Sequence, residues 1–140
     1  MTCVRPDVRA FFRRYERAAE GLDPEALTNS FCAEFMSLDA SSATALSPQA
    51  LLAVLPRRKQ LFEAVGSEGL ELADISEMPL DDLHTLVRTS WNLRMRNEPR
   101  RDPVCLHSTF ILRKDDGAWR IVLYLNHQDM NKFFRELAPA

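Results

Sequence analysis

The chain has 140 residues, 46% of them hydrophobic and 27% charged, with a formal net charge of −2. That length supports one domain with a sizeable core, and the mixture excludes disordered and fibrous classes. The balanced charge gives no broad field for nucleic acid, and no apolar run approaches the roughly 20 residues that a bilayer span needs. Cys3, Cys32 and Cys105 are widely spaced and form no C-x-x-C pair, which suits a reducing compartment better than a disulfide framework. The opening MTCVRPDVRAFF lacks the charged and apolar regions of a leader peptide, so the expected location is cytoplasmic.

Pro6 and Asp7 open a first helix, with Val8, Phe11, Phe12, Tyr15 and Ala19 at helical spacing and Gly21 to end it. Asp23-Pro24 starts a second, short helix carrying Ala26, Leu27 and Phe31. An extended segment follows over Glu34 to Asp39, and Ser41, Ser42 and Thr44 read as loop. Ser47-Pro48 caps a third helix with Leu51, Leu52, Leu55, Leu61, Phe62 and Val65 as its stripe. Pro56 inside that pattern predicts a kink or a break. From Leu70 the chain reads as sheet, with strands over Glu71 to Glu77, Leu83 to Arg96, Val104 to Arg113 and Trp119 to His127. Pro79 to Asp82, Asn97 to Pro103 and Asp116-Gly117 are the connections. A short helix from Met130 to Leu137 closes the chain, with Phe133, Phe134 and Leu137 to dock. Helices followed by a strand meander predict an α+β domain over residues 1–140, with helices on one face of an antiparallel sheet.

If Asp115 pairs with Ala118 across the turn, Thr109 lies opposite Tyr124, His107 opposite Asn126 and Ile111 opposite Val122. That face mixes polar and aromatic groups and is the preferred wall of an internal pocket, with Cys105 beside it. Leu106, Phe110, Leu112, Ile121, Leu123 and Leu125 then form an apolar outer face, best covered by a second copy of the chain in a homodimer. The alternative puts the apolar face in the core and the mixed face in water, and a one-residue change of register exchanges the two.

The helix–Gly–Asp-Pro–helix start ending in Ser30-Phe31, and the strand–Asp-Asp-Gly-Ala-Trp-Arg-Ile–strand hairpin, resemble the nuclear transport factor 2-like superfamily over roughly residues 8 to 129. That superfamily includes ketosteroid isomerases, SnoaL-type cyclases and limonene epoxide hydrolases. The resemblance implies a cone-shaped curved sheet packed on three N-terminal helices, a cystatin-like roll with the pocket inside and pairing through the sheet. Compared with the ketosteroid isomerases, Tyr15 falls where that family has its oxyanion-hole tyrosine and Asp39 where it has its general-base aspartate. Thr109 replaces the family's protonated aspartic acid and lacks its acidity.

The expected site is therefore Tyr15 and Asp39 as catalytic residues, with Trp91, His107, Thr109, Tyr124 and Asn126 binding an apolar small molecule, without metal or cofactor. Asp39 has a plainer role as a turn former beside Ser41 and Ser42, and Tyr15 as a core tyrosine. No H-x-H or H-x-x-x-H spacing supports a closed metal site. The basic groups Arg94, Arg96, Arg100 and Arg101, and Arg57, Arg58 and Lys59, read as solvated surface. Two functions remain: a ligand-binding domain that doubles as an acid–base isomerase, cyclase or hydrolase, or a non-enzymatic ligand-binding or interaction dimer.

Overall fold

Local punctuation sets most of the helix starts. In the computed structural model, which describes residues 3–19, 23–64, 66–95 and 104–137 apart from the side chains of Glu68, Asn131 and Leu137, helix α1 covers Pro6–Arg17. Its Val8, Phe11 and Phe12 are buried on one side. Helix α2 covers Pro24–Asn29, and the Asp23 carboxylate accepts from the Ala26 N–H at 3.0 Å, satisfying an orphan donor of the first turn. Helix α3 covers Pro48–Ala64, capped by Ser47 Oγ, which accepts from the Ala50 N–H at 3.1 Å. Of the kink or break expected at Pro56, the break does not occur; the helix runs through it. Helix α4 spans Met130–Leu137, the predicted range.

Among the described residues six strands form one sheet: β1 Phe31–Leu38, β2 Ala43–Leu46, β3 Ser67–Pro79, β4 His84–Met95, β5 Val104–Asp115 and β6 Ala118–Asn126. Their order is β2-β1-β6-β5-β4-β3, antiparallel except where β1 runs parallel to β6. The sheet is curved and unclosed, with the helices against its inner face, as the α+β reading predicts. Several boundaries differ from expectation: β3 starts at Ser67 rather than Glu71 and takes in Pro79, and two other segments change type. Phe31 starts β1 rather than ending a helix, because the Ile121 N–H donates to Ser30 O at 2.7 Å and draws the chain onto β6. The segment containing Thr44, read as loop, is the edge strand β2, whose pairing with β1 outweighs its weak local propensity.

The hairpin turn forms as predicted: Asp115 pairs with Ala118, and Asp116 and Gly117 have φ of 51° and 79°, the two positive values of a type I′ turn. Further along, the register shifts. Leu112 pairs with Ile121 but Ile111 pairs with Leu123, so Val122 is an extra residue, a β-bulge. The bulge lets both Ile121 and Tyr124 face inward. Tyr124 therefore sits opposite Phe110, not Thr109, and Asn126 opposite Ser108, not His107.

This corrects the preferred face assignment. Leu106, Phe110, Leu112 and Ile121 are at most 5% exposed and belong to the core rather than to an outer surface. Cys105, His107 and Thr109 alternate with them and face outward. The N-terminal segment is clasped to β3 through Glu77, whose side chain is fully buried and accepts from the Arg5 N–H (3.0 Å), the Arg5 guanidinium and Thr85 Oγ1 (2.6 Å). Gly21, Val65, Arg96, the Asn97 to Pro103 connection with Arg100 and Arg101, and the Leu137 side chain fall outside the described residues. Among the described residues no helix is long and apolar enough to cross a membrane.

Candidate functional site

The inner face ends in an aromatic cluster. Tyr15 packs against Phe110, Phe31 and Trp91 with ring centroids 5.5, 6.1 and 6.2 Å apart, and Phe110 touches Phe12 and Tyr124 at 5.1 Å each. The polar end of Trp91 is used inside this wall, its Nε1–H donating to Thr89 Oγ1 at 2.8 Å. Burial pushes the Tyr15 hydroxyl well above the usual phenol range, and nearby Tyr124 adds to this while Arg58 opposes it.

Beyond Tyr124 a cavity of about 200 Å³ lies between α3, α4 and the C-terminal ends of β1 and β6. Its polar lining comes from Ser37, Asp39, Arg58, Tyr124 and Asn126. Leu38, Leu61, Met130 and Phe134 supply the apolar walls. Phe62 holds the two helices together, 4.9 Å from Phe134 and 6.4 Å from Phe133. An open cleft of about 470 Å³, lined by Ser41, Arg57, Asp129 and Arg135, shares Leu61 and Phe134 with the cavity.

Of the seven predicted site residues, Asp39, Tyr124 and Asn126 line this one cavity, and Tyr15 and Trp91 build the aromatic cluster behind Tyr124. His107 and Thr109 are not brought to it. They lie on the outer face, His107 Nδ1 3.1 Å from Ser90 Oγ and Thr109 Oγ1 2.7 Å from His127 Nε2. The register shift at Val122 separates them from Tyr124.

Asp39 follows β1 and closes its own turn. Its Oδ1 accepts from the N–H and hydroxyl of Ser41 (2.8 and 2.9 Å) and of Ser42 (2.8 and 3.2 Å). Burial works against ionisation, but these four donors outweigh it and hold the carboxyl below its usual range. A carboxylate stabilised in this way is a good turn anchor and a weak base.

Arg58 is the site residue that the sequence reading passed over. It is half-buried on α3, its guanidinium lies 5.8 Å from the Phe62 ring centre, and it donates to the Tyr124 hydroxyl at 3.4 Å. The signal was its spacing: Leu51, Leu55, Arg58 and Phe62 stand at i, i+4, i+7 and i+11, so Arg58 occupies the inward stripe of α3. Among the described residues no cluster of three or more His, Cys, Asp or Glu side chains is placed to hold a metal ion.

A curved, unclosed six-stranded sheet packed on helices, with its cavity at the open end, is the cystatin-like α+β roll of NTF2-like proteins. The chain belongs to the family described as NTF2-like protein (DUF6841), whose model matches residues 6–129. Among solved structures it is similar to an NTF2-like protein with a cystatin-like fold from Novosphingobium aromaticivorans (18% identity, TM-score 0.70, covering 96% of this chain and 88% of that one). It is also similar to an NTF-2 like protein of unknown function from Shewanella oneidensis (18% identity, TM-score 0.67, 87% and 97% covered). A third is Aln2 from a Streptomyces species (14% identity, TM-score 0.69, 94% and 98% covered). No curated protein matches the chain. At these identities the likeness to solved structures establishes the fold alone.

Proposed function

We propose that the chain is a small-molecule-binding domain whose site is the cavity between α3, α4, β1 and β6. The carrying observation is the lining itself: four apolar side chains and a few convergent polar groups at the open end of the sheet. At about 200 Å³ it is smaller than the ~300–1,000 Å³ of sites for drug-sized ligands, so the expected ligand is compact rather than steroid-sized. The acid–base alternative keeps Asp39 as general base with Tyr15 as donor. Against it stand the four donors on Asp39 Oδ1 and the position of Thr109 on the other face, so binding without chemistry is the better-supported reading. Titration of 15N-labelled protein with small aromatic amides and acids tests it. Shifts confined to residues of this cavity support the proposal, and shifts on the outer face or none at all contradict it.

The proposed homodimer through the outer sheet face now rests on a largely different set of residues, with Leu123 common to both. Met78, Leu86, Ile111, Leu123 and Met36 are neighbours on successive strands and form one half-exposed apolar row across the sheet. A two-fold axis through that row would cover it with its own copy. Light scattering should give twice the chain mass, and Ile111→Asp should give a folded monomer. A monomeric wild type rules the dimer out.

A further inference from the structure

The polar groups of the cavity are unevenly matched. Arg58 has five N–H donors, yet its one hydrogen bond among the described residues is the 3.4 Å contact with Tyr124, and it forms no ion pair there. None of its unpartnered nitrogens is sealed from solvent, and Arg58 is one of the residues that line the cavity. Tyr124 accepts from Arg58 and so has its own proton free to donate. Asn126 Oδ1 accepts from both the backbone N–H (3.1 Å) and Nε2 (2.6 Å) of Gln128. This fixes the amide and leaves Nδ2 to donate. The one carboxylate in the lining, Asp39, is anchored through Oδ1 by four hydrogen bonds from its own turn, and its Oδ2 is left as a single acceptor that forms no ion pair with Arg58. The cavity thus presents a surplus of donors, one of them cationic, against apolar walls.

A half-buried guanidinium without a counter-ion is costly unless a partner satisfies it, and its planar fork matches a carboxylate. We propose that the cavity takes a small carboxylic acid with an apolar body, its carboxylate on Arg58, Tyr124 and Asn126 and its body against Leu61 and Phe134. This rests on the cavity being the ligand site.

The test compares 3-phenylpropionate with its neutral isostere 3-phenylpropanamide by calorimetry, on wild type, Arg58→Gln and Arg58→Lys. The wild type should bind the acid on the order of tenfold to hundredfold more tightly than the amide, as expected for a charge-assisted hydrogen-bond pair. Arg58→Gln should reduce that preference to about twofold, and Arg58→Lys should restore part of it. A circular-dichroism melt of each variant confirms that it is folded. Equal affinities for acid and amide in the wild type, or an acid preference that survives Arg58→Gln, overturn the carboxylate assignment while leaving the cavity reading intact. Failure of both compounds to bind overturns the cavity reading and this inference with it.

Discussion

Arg5→Met separates the cost of burying a charge from the value of the pair that neutralises it. Glu77 is fully buried on β3 and accepts from four donors, two of which, Nε and Nη2, belong to the Arg5 guanidinium. The variant keeps the Arg5 N–H and Thr85 bonds but leaves the carboxylate without a cation. Hydrogen bonds to charged groups contribute about 1.5–3 kcal/mol, and breaking a buried pair costs about 3–5 kcal/mol. The Arg5 side chain is 44% exposed, so screening reduces both figures, and we expect a loss of about 2 kcal/mol at pH 7.5.

The pH dependence carries the sharper test. In the wild type, burial opposes ionisation of Glu77, but the bonds from Arg5 and Thr85 outweigh it and lower its pKa. Its stabilisation is therefore present above the unfolded value of roughly 4.3 and lost as pH falls through the folded one. In Arg5→Met burial wins and the folded pKa rises above the unfolded value. The penalty then exists at neutral pH and is relieved as pH falls. Urea unfolding followed by tryptophan fluorescence at pH 7.5 and 5.0 should show the gap between the two proteins narrowing at the lower pH. A gap that stays constant, or that widens, refutes the reasoning.

Three further outcomes follow from the packing. Phe110→Ala removes a ring that is 1% exposed and touches Phe12, Tyr15 and Tyr124; it should cost about 3–5 kcal/mol, a fall in Tm of roughly 10–15 °C by calorimetry. Gly117→Ala places a side chain at φ 79° with nothing within 4 Å of the new Cβ; the cost, read in urea, should be backbone strain alone, about 1–2 kcal/mol. Asp39→Ala deprives Ser41 and Ser42 of their acceptor and should lower stability by about 1–2 kcal/mol. Amide binding should be unchanged within about twofold, and a loss of a hundredfold or more would give Asp39 a direct role at the ligand.

What the sequence revealed was local. Asp23-Pro24, Ser47-Pro48 and Asp116-Gly117 each carry a conformational requirement within a few residues, and the elements they start or join form where expected. Met130 to Leu137 was legible because its aromatic pair has somewhere to dock. The edge strand over Ala43–Leu46 was not, because two of its four residues are alanine, which carries little strand preference, and Ser41 and Ser42 before it read as a turn; pairing with β1 supplies the rest. The bulge at Val122 was not legible either. Nothing near it in sequence distinguishes a regular ladder from one that turns both Ile121 and Tyr124 inward, and that single residue carried Tyr124 and Asn126 to the inner face, away from His107 and Thr109. Arg58 was hidden differently: its charge suggested solvent, while its place on the inward stripe of α3 pointed to the cavity.

A crystal structure of the chain grown with 3-phenylpropionate tests the central claim most directly. The account predicts ligand density in the cavity between α3, α4, β1 and β6, with the carboxylate within hydrogen-bond distance of Arg58 and Tyr124. Density confined to the neighbouring cleft at Arg57 and Arg135, or to the outer face of the sheet, would contradict it.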